Sequence, residues 1–432
     1  MSAELSQSPG TPGGGPLSAL SAADVEAAAK RIAGVVTPSP LQFSDRLSAT
    51  TGASVYLKRE DLQVVRSYKL RGAYNLLVQL SDAELAAGVV CSSAGNHAQG
   101  FAFACRTLGV HGRVYVPAKT PKQKRDRIRY HGGEFIELIV GGSTYDLAAE
   151  AALADIERTG ATLVPPYDDL RTIAGQGTIA VELLDQLDAE PDLVVVPVGG
   201  GGCIAGITTY LAERTNNTAV LGVEPAGAAA MMAALAAGEP VTLDHVDQFV
   251  DGAAVRRAGT LTYAALAAAG DMVSITTVDE GAVCTAMLDL YQNEGIIAEP
   301  AGALSVTGLL EAGVEPGSTV VCLVSGGNND VSRYGEVLER SLVHLGLKHY
   351  FLVDFPQEPG ALRRFLDDVL GPNDDITLFE YVKRNNRETG EALVGIELGS
   401  AADFDGLLER MRATEMQIET IEPGSAAYRY LL

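Results

Sequence analysis

Four short loops carry the glycines and polar side chains of this sequence that could do chemistry. They read SYKLRGA from Ser67, SSAGNHAQG from Ser92, GGGGC from Gly199 and SGGN from Ser325. Four consecutive glycines leave backbone N–H groups able to converge at the start of a helix, where they can hold a phosphate. The spacing is not GxGxxG, and no acidic residue follows at the distance that a dinucleotide ribose requires. The glycine loop therefore favours another kind of phosphate site over a dinucleotide site or a plain flexible turn.

Lys69 opens a predicted helix and is followed by an expected Arg71-Gly72-Ala73 turn. A solvated side chain is the commoner role for such a lysine, but near a phosphate cradle its amine can be tuned to bond covalently to an aldehyde. A pyridoxal phosphate site needs that amine, a phosphate cup, and partners for the ring nitrogen and the ring hydroxyl. Lys69, the tetraglycine loop, Ser325 and Asn96 could fill these positions in that order.

Short apolar runs alternate with Ala-rich helical stretches up to about residue 340. The runs are continuous, and most end in glycine or proline: GVVCSS, GRVYVP, FIELIV, LVVVPVGGGG, VLGVEP and TVVCLVSGG. Strands buried on both faces have this pattern, which predicts a parallel sheet covered by helices and hence an α/β fold. Because ligands in such folds bind beyond the carboxyl ends of strands, the polar loops stand where chemistry is expected.

The two ends of the chain depart from this pattern. Residues 1–19 are rich in glycine and proline and predict a disordered tail, after which Ser21 is expected to cap a helix. After residue 346 the expected elements are strand 349–355, helix 358–370, strand 376–383, a turn at 385–390, strand 392–398, helix 403–411 and strand 417–421. This βαββαβ order predicts a separate ferredoxin-like domain.

Composition narrows the class of protein. The 432 residues include 55 Asp plus Glu and 32 Lys plus Arg, a net charge of −23, which disfavours binding to nucleic acid and to anionic membranes. No stretch approaches the ~20 apolar residues of a membrane span, and the first residues do not form a secretory signal. Five cysteines scattered without CxxC spacing favour reduced thiols. We therefore expect a cytoplasmic protein.

Taken together and in this order, the four loops resemble those of the fold-type II pyridoxal-phosphate enzymes, the tryptophan synthase β type, and within them the biosynthetic threonine dehydratases. The resemblance covers about residues 25–335. It implies that Lys69 carries the cofactor, that Asn96 bonds the ring hydroxyl and that Ser325 faces the ring nitrogen. The phosphate would be held by Gly199, Gly200, Gly201, Gly202 and the amide of Cys203. The substrate carboxylate would be held by Ser92, Ser93, Ala94, Gly95 and Asn96.

The same resemblance implies a function and a domain organisation. A catalytic domain over residues 20–345 would deaminate L-threonine to 2-oxobutanoate and ammonia, the first step toward isoleucine. Residues 346–432 resemble the ACT-like regulatory domain of threonine dehydratases, with Glu358-Pro359-Gly360-Ala361-Leu362 at the start of its first helix. One such copy per chain implies an oligomer, expected to be a homotetramer, with inhibition by isoleucine or a response to valine.

Other functions stay open from the residues alone. Serine racemases of this fold carry a serine at the position of Ala94, so this departure argues for elimination rather than racemisation. They also bind a divalent cation, but Glu224 has no second carboxylate in the segment after it, so no metal is assigned, although a monovalent ion near it stays open. A catabolic serine/threonine dehydratase and a non-catalytic amino-acid sensor are the remaining alternatives, and the intact Lys69 disfavours the sensor.

Overall fold

The computed structural model describes residues 20–381 and 388–431 of the chain. The chain divides into two compact units. One contains the chain up to Thr277 together with Leu304–Asn328, and the other contains Val278–Ala303 together with the chain from Asn329 onward. The predicted disordered tail at 1–19 and residues 385–387 of the predicted turn lie outside the described residues.

The described residues form seventeen α-helices, and none of them is long and apolar enough to cross a membrane. The helices are α1 (Ala22–Ile32), α2 (Asp45–Thr51), α3 (Lys69–Leu77), α4 (Asp82–Ala87), α5 (Asn96–Leu108), α6 (Lys122–Gly132), α7 (Tyr145–Thr159), α8 (Leu170–Gln186), α9 (Gly202–Arg214), α10 (Ala230–Ala237), α11 (Thr260–Ala269), α12 (Glu280–Glu294), α13 (Pro300–Ala312), α14 (Tyr334–His344), α15 (Ala361–Val369), α16 (Phe404–Arg412) and α17 (Ala426–Leu431). The strands are β1 (Leu41–Phe43), β2 (Ser54–Arg59), β3 (Val89–Ser92), β4 (Gly112–Val116), β5 (Ile136–Val140), β6 (Thr162–Leu163), β7 (Leu193–Pro197), β8 (Ala219–Pro225), β9 (Val273–Val278), β10 (Thr319–Val324), β11 (Lys348–Pro356), β12 (Asp375–Tyr381), β13 (Thr389–Glu397) and β14 (Gln417–Ile421).

The larger sheet of the first unit has the strand order β1-β2-β10-β7-β8-β9. Strands β2, β10, β7 and β8 pair in parallel, and the short β1 pairs antiparallel with β2 at the edge. Valines of β7 pack in one buried cluster with apolar side chains of α1, α8 and α9. Ser21 caps α1 as expected, in a capping box with Asp24.

A smaller sheet of the same unit has the order β5-β4-β3-β6, with every pair parallel. Its core packs Val89 and Val114 against Phe101 of α5 and Ile128 of α6. All six predicted apolar runs are therefore strands, and the predicted parallel α/β architecture is confirmed, with its strands divided between two sheets. The loops that follow β3, β7 and β10 each leave the carboxyl end of a parallel strand.

Helix α3 packs against α8 almost backbone to backbone. A Cβ added to Gly175 would lie 2.6 Å from the Cα of Gly72, and one added to Gly72 would overlap the side chain of Gln176. The predicted Arg71-Gly72-Ala73 turn is wrong, because these three residues belong to helix α3. Gly72 is required for the close helix contact rather than for a change in chain direction.

The second unit contains a four-stranded antiparallel sheet of order β12-β13-β11-β14. Together with α15 and α16 this confirms the predicted βαββαβ order and its ferredoxin-like arrangement. Phe351 and Phe355 of the sheet share a buried core with Phe365 of α15 and Leu407 of α16. Helix α17 was not predicted, and it places Tyr428 6.1 Å from Tyr350, ring centroid to centroid.

Candidate active site

Lys69 is the first residue of helix α3, as predicted. Its Nζ donates a 3.1 Å hydrogen bond to the carbonyl oxygen of Pro166 and lies 5.1 Å from the centre of the Tyr68 ring. The amine is thus held near the end of β6, a segment 97 residues further along the chain.

Two backbone hydrogen bonds join the segment before Lys69 to the loop of Ser325, which is predicted to face the ring nitrogen. The N–H of Tyr68 donates to the carbonyl of Ser325 at 3.2 Å, and the N–H of Gly327 donates to the carbonyl of Arg66 at 2.9 Å. Arg66 has a φ of 57°, a left-handed conformation that is uncommon outside glycine. Such strain persists where neighbouring contacts fix the backbone. Here the two backbone hydrogen bonds hold Arg66 in this conformation and place Ser325 beside the start of α3.

The predicted asparagine loop meets both of these segments. Asn96 begins helix α5, and its Oδ1 accepts a 2.8 Å bond from the side chain of Asn328. One turn further on, a Cβ added to Gly100 would lie 2.8 Å from the backbone nitrogen of Leu70, so α5 runs directly against the start of α3. Two of the other three predicted motifs therefore meet the segment that carries Lys69.

The tetraglycine loop leads from β7 into α9 and has room only for glycine. Gly201 has a φ of 91°, a Cβ on Gly200 would overlap the ring of Tyr167, and one on Gly199 would lie 2.9 Å from the backbone of Ala253. Because no Cβ is present, the N–H groups at the start of α9 can approach an anion closely. This backbone cradle fits the phosphate of pyridoxal phosphate.

A segment that the sequence analysis missed joins Lys69 to the cradle. Pro166 accepts the bond from Lys69, the next residue Tyr167 packs against the glycines, and Asp168 accepts the N–H groups of Thr260 and Leu261 at the start of α11. The loops after β3, β7 and β10 could be recognised because each follows a continuous apolar run. The run PPYDD follows β6, which has only two residues, so no apolar run marks it in the sequence.

The predicted carboxylate loop begins with Ser92, the last residue of β3, and leads through Ser93, Ala94 and Gly95 into α5. The amide of Gly95 donates to the Oγ of Ser93 at 3.3 Å, and the phenol of Tyr145 donates to the carbonyl of Ser92 at 3.0 Å. The Oγ of Ser92 is buried with no hydrogen-bond partner, and a Cβ on Gly95 would meet no atom within 4 Å beyond its own chain neighbours. The loop therefore offers both space and an unused polar atom to a ligand.

Two titratable groups beside Lys69 are held neutral. Burial lowers the pKa of His97 to about 3, with a further contribution from the charge of Lys69, while its Nε2 bonds the carbonyl of Val164 at 2.8 Å. Burial raises the pKa of Cys203 to about 12. His97 thus ties the start of α5 to the end of β6 as a neutral ring, and Cys203 offers its backbone amide rather than a thiolate.

At the first turn of α3, the buried charges of Arg71, Glu60 and Lys58 form one network with the partly buried Glu182. The guanidinium of Arg71 donates to Glu60 at 2.7 and 2.9 Å and to Glu182 at 2.6 and 3.0 Å. Lys58 donates to Glu182 at 2.7 Å. Burial alone would lower the pKa of Arg71, but the carboxylates of Glu60 and Glu182 raise it above its ordinary value. The network, which sequence reasoning did not find, anchors the first turn of α3.

Glu224 lies at the end of β8 and is fully buried. Its carboxylate accepts the N–H groups of Met231 and Met232, each at 2.8 Å, at the start of α10, and burial raises its pKa to about 7. Within residues 20–381 and 388–431, no group of three or more His, Cys, Asp or Glu side chains could hold a metal ion. Glu224 thus acts here as a helix cap.

Comparison with known proteins places this geometry in a family. Residues 32–326 match the pyridoxal-phosphate-dependent enzyme family, and residues 339–431 match the C-terminal regulatory domain of threonine dehydratase. The chain is 89% identical to a biosynthetic L-threonine dehydratase of Mycobacterium tuberculosis over 100% of both chains, and 60% identical to that of Corynebacterium glutamicum over 95% of both. Its fold is similar to processed threonine deaminase isoform 2 of Solanum lycopersicum, with a TM-score of 0.69, 38% identity, and coverage of 74% of this chain and 92% of that one. The chain belongs to the biosynthetic threonine dehydratase family of pyridoxal-phosphate-dependent enzymes.

Proposed function

We propose that this protein is a pyridoxal-phosphate-dependent threonine ammonia-lyase that converts L-threonine to 2-oxobutanoate and ammonia, the first committed step toward isoleucine. The observation that carries the proposal is the meeting of the asparagine loop and the Ser325 loop with the segment that carries Lys69, beside a phosphate cradle made only of backbone. When bound, pyridoxal phosphate supplies an aldehyde for covalent attachment and a ring that withdraws electrons from the substrate α-carbon.

In this proposal the chain holds the cofactor with few charged groups. Lys69 carries it, the tetraglycine loop and the amide of Cys203 bind its phosphate, and Asn96 donates to its ring hydroxyl. The cradle supports this assignment because backbone N–H groups at a helix start attract an anion without a basic side chain. An acidic chain of net charge −23 can thereby bind a phosphate at a site without a basic patch.

Lys69 also serves as the general base. With the cofactor and the substrate bound, the free Nζ of Lys69 would remove the α-proton while the loop of Ser92 to Gly95 holds the substrate carboxylate. Ser325 faces the ring nitrogen with a neutral hydroxyl, which does not hold a proton on that nitrogen as a carboxylate would. Negative charge at the α-carbon is therefore limited, and loss of the β-hydroxyl is favoured over transamination.

The second domain supplies the regulation. We place the boundary between the catalytic and regulatory domains near residue 345 and propose that isoleucine inhibits through residues 346–432. The Pro359-Gly360 turn before α15 supports an amino-acid site there, because it leaves the helix-start amides able to meet a ligand. With one regulatory domain per chain, we propose a homotetramer. Five buried free cysteines favour the cytoplasm as its compartment.

The absorbance of the holoenzyme tests the site assignment. The wild-type protein should show a visible band from the cofactor attached to Lys69, and Lys69→Ala should lose that band together with at least ~10³-fold of the activity, in the range expected when a general base is removed. Lys122→Ala, which changes a side chain 82% exposed on α6, is the matched control and should keep both. A Lys69→Ala protein that retains the band would remove Lys69 from the site.

A further inference from the structure

The side chain of Asn328 connects two of the loops at the proposed cofactor site. Its Nδ2 donates one 2.8 Å bond to the carbonyl oxygen of Val65 and another 2.8 Å bond to the Oδ1 of Asn96. Val65 belongs to the segment that leads to Lys69, whereas Asn96 begins helix α5. A single amide thus joins the lysine loop to the asparagine loop.

The bond to Val65 determines how both amides are oriented. A backbone carbonyl can only accept, so the Asn328 atom that faces it must be nitrogen. That nitrogen can only donate, so the Asn96 atom that faces it must be oxygen. The nitrogen of the Asn96 amide is thereby directed away from Asn328.

We propose that Asn328 is a positioning residue, which orients the Asn96 amide so that its Nδ2 is presented as a donor to the ring hydroxyl of pyridoxal phosphate. This inference rests on the proposed function, because it requires Asn96 to face the cofactor. A donor at that position favours the ionised ring oxygen. If the Asn96 amide were turned over, it would present an acceptor there and disfavour the same ionised form.

The absorbance and the affinity of the cofactor test this proposal without relying on turnover. In Asn328→Ala, absorbance should move from the visible band toward the near ultraviolet, because less of the ring oxygen is ionised. Cofactor Kd should rise by roughly 3- to 10-fold, against about 10-fold in Asn96→Ala, as expected for bonds to a charged group. The double variant should match Asn96→Ala within about twofold, because Asn328 then has no amide left to orient.

Two further variants separate orientation from a loss of structure. Asn329→Ala is the matched control, since that neighbouring asparagine donates instead to Ala298 at 3.3 Å, and it should keep the wild-type spectrum and Kd. Asn328→Asp keeps the side-chain volume but removes the donor, so it should shift the spectrum in the same direction as Asn328→Ala even if the alanine variant folds poorly. The unfolding midpoint of each apoprotein reports any purely structural cost.

Three results would overturn the proposal. Asn328 variants with the wild-type spectrum and Kd, beside an altered Asn96→Ala, would refute the role of Asn328 and leave the proposed function standing. Fully additive effects in the double variant would show that Asn328 acts independently of Asn96. An Asn96→Ala protein indistinguishable from wild type would remove Asn96 from the cofactor site, and this inference would fail with that part of the proposed function.

Discussion

The two units of this chain hold their architecture by different means. In the first unit, Lys58, Glu60 and Arg71 are fully buried charges under the lysine loop, and the loops approach one another through glycines. In the tail sheet, Phe355 lies 5.2 Å from Phe365 and 5.8 Å from Phe379, ring centroid to centroid, in an apolar core. The first unit is thus fixed by specific polar partners and by glycines at close contacts, whereas the tail is fixed by apolar packing that can adapt.

This difference has consequences for what each region tolerates. A buried charge that loses its partner is costly, and a glycine at a close contact admits no larger side chain. An aromatic core accepts a similar-sized apolar substitute at lower cost. We therefore expect single substitutions in the first unit to damage the site, and comparable substitutions in the tail to change regulation while catalysis continues.

The largest effect should come from breaking the buried network. Arg71→Leu leaves Glu60 buried without its partner and should lower the free energy of unfolding by about 3–5 kcal/mol. The control is Arg363→Leu in the tail, whose pair with Asp367 is 86% and 71% exposed; such pairs contribute at most about 1 kcal/mol. Denaturant unfolding of the apoproteins measures both. Equal losses in the two variants would contradict the distinction between the units.

Next in size is the effect of a methyl group in the phosphate cradle. Gly200→Ala places a Cβ against the ring of Tyr167 and should weaken cofactor binding roughly 10- to 100-fold, the equivalent of an overpacking cost of about 1–3 kcal/mol. Gly335→Ala is the control, because the added Cβ meets nothing within 4 Å apart from its neighbours along its own helix. Titration of each apoprotein with the cofactor measures the affinity. An unchanged affinity for the cofactor in Gly200→Ala would mean that the loop does not hold the phosphate.

The buried neutral histidine gives the first unit a pH dependence. The pKa of His97 falls from 6.5 to about 3 in the folded protein, so the unfolded chain takes up the proton first as the pH drops. Stability should therefore fall below pH 6.5, with His97 contributing about 1.4 kcal/mol per pH unit toward pH 5. His97→Gln should flatten the slope by that amount, whereas the exposed His245→Gln should not. An unchanged slope in His97→Gln would mean that the folded protein does not lower the pKa of His97.

The smallest effect is expected in the tail core. Phe365→Leu keeps most of the buried apolar volume and should cost about 1 kcal/mol of stability. The kcat for threonine should stay at the wild-type value, while inhibition by isoleucine should weaken because the regulatory domain is loosened. Steady-state rates across an isoleucine series measure both quantities. Loss of kcat with unchanged inhibition would reverse the roles assigned to the two domains.

Much of the fold could be predicted because burial leaves a direct mark on sequence. Five of the six continuous apolar runs became strands that are buried over most of their length, and α15 was predicted from apolar residues at helical spacing. The exception is β5 at the edge of the smaller sheet, where Glu137 and Val140 are exposed. Strand β2 was missed because its SVYLKR sequence ends in two charged residues. Lys58 is buried against Glu182, 124 positions away, and Arg59 is buried against the nearby Asp61. Strand β6 was missed because it is two residues long.

The part of the site that lies in local sequence motifs could also be predicted. Lys69, Asn96, the tetraglycine and Ser325 stand in local motifs, so their loops could be identified along the chain. The segment from Pro166 to Asp168 and the Glu182 partner of Arg71 could not, because their roles come from contacts between residues about 100 positions apart. Asn328 was within a recognised motif, but its role depends on two acceptors that only the fold brings together.

The most direct test of this account is the rate of 2-oxobutanoate formation from L-threonine by the holoenzyme, measured for wild type and Lys69→Ala with and without L-isoleucine. We predict turnover by the wild type, a fall in that rate when isoleucine is added, and no measurable product from Lys69→Ala. A wild-type holoenzyme that forms no 2-oxo acid from threonine, or a Lys69→Ala protein that forms it at the wild-type rate, would contradict the account.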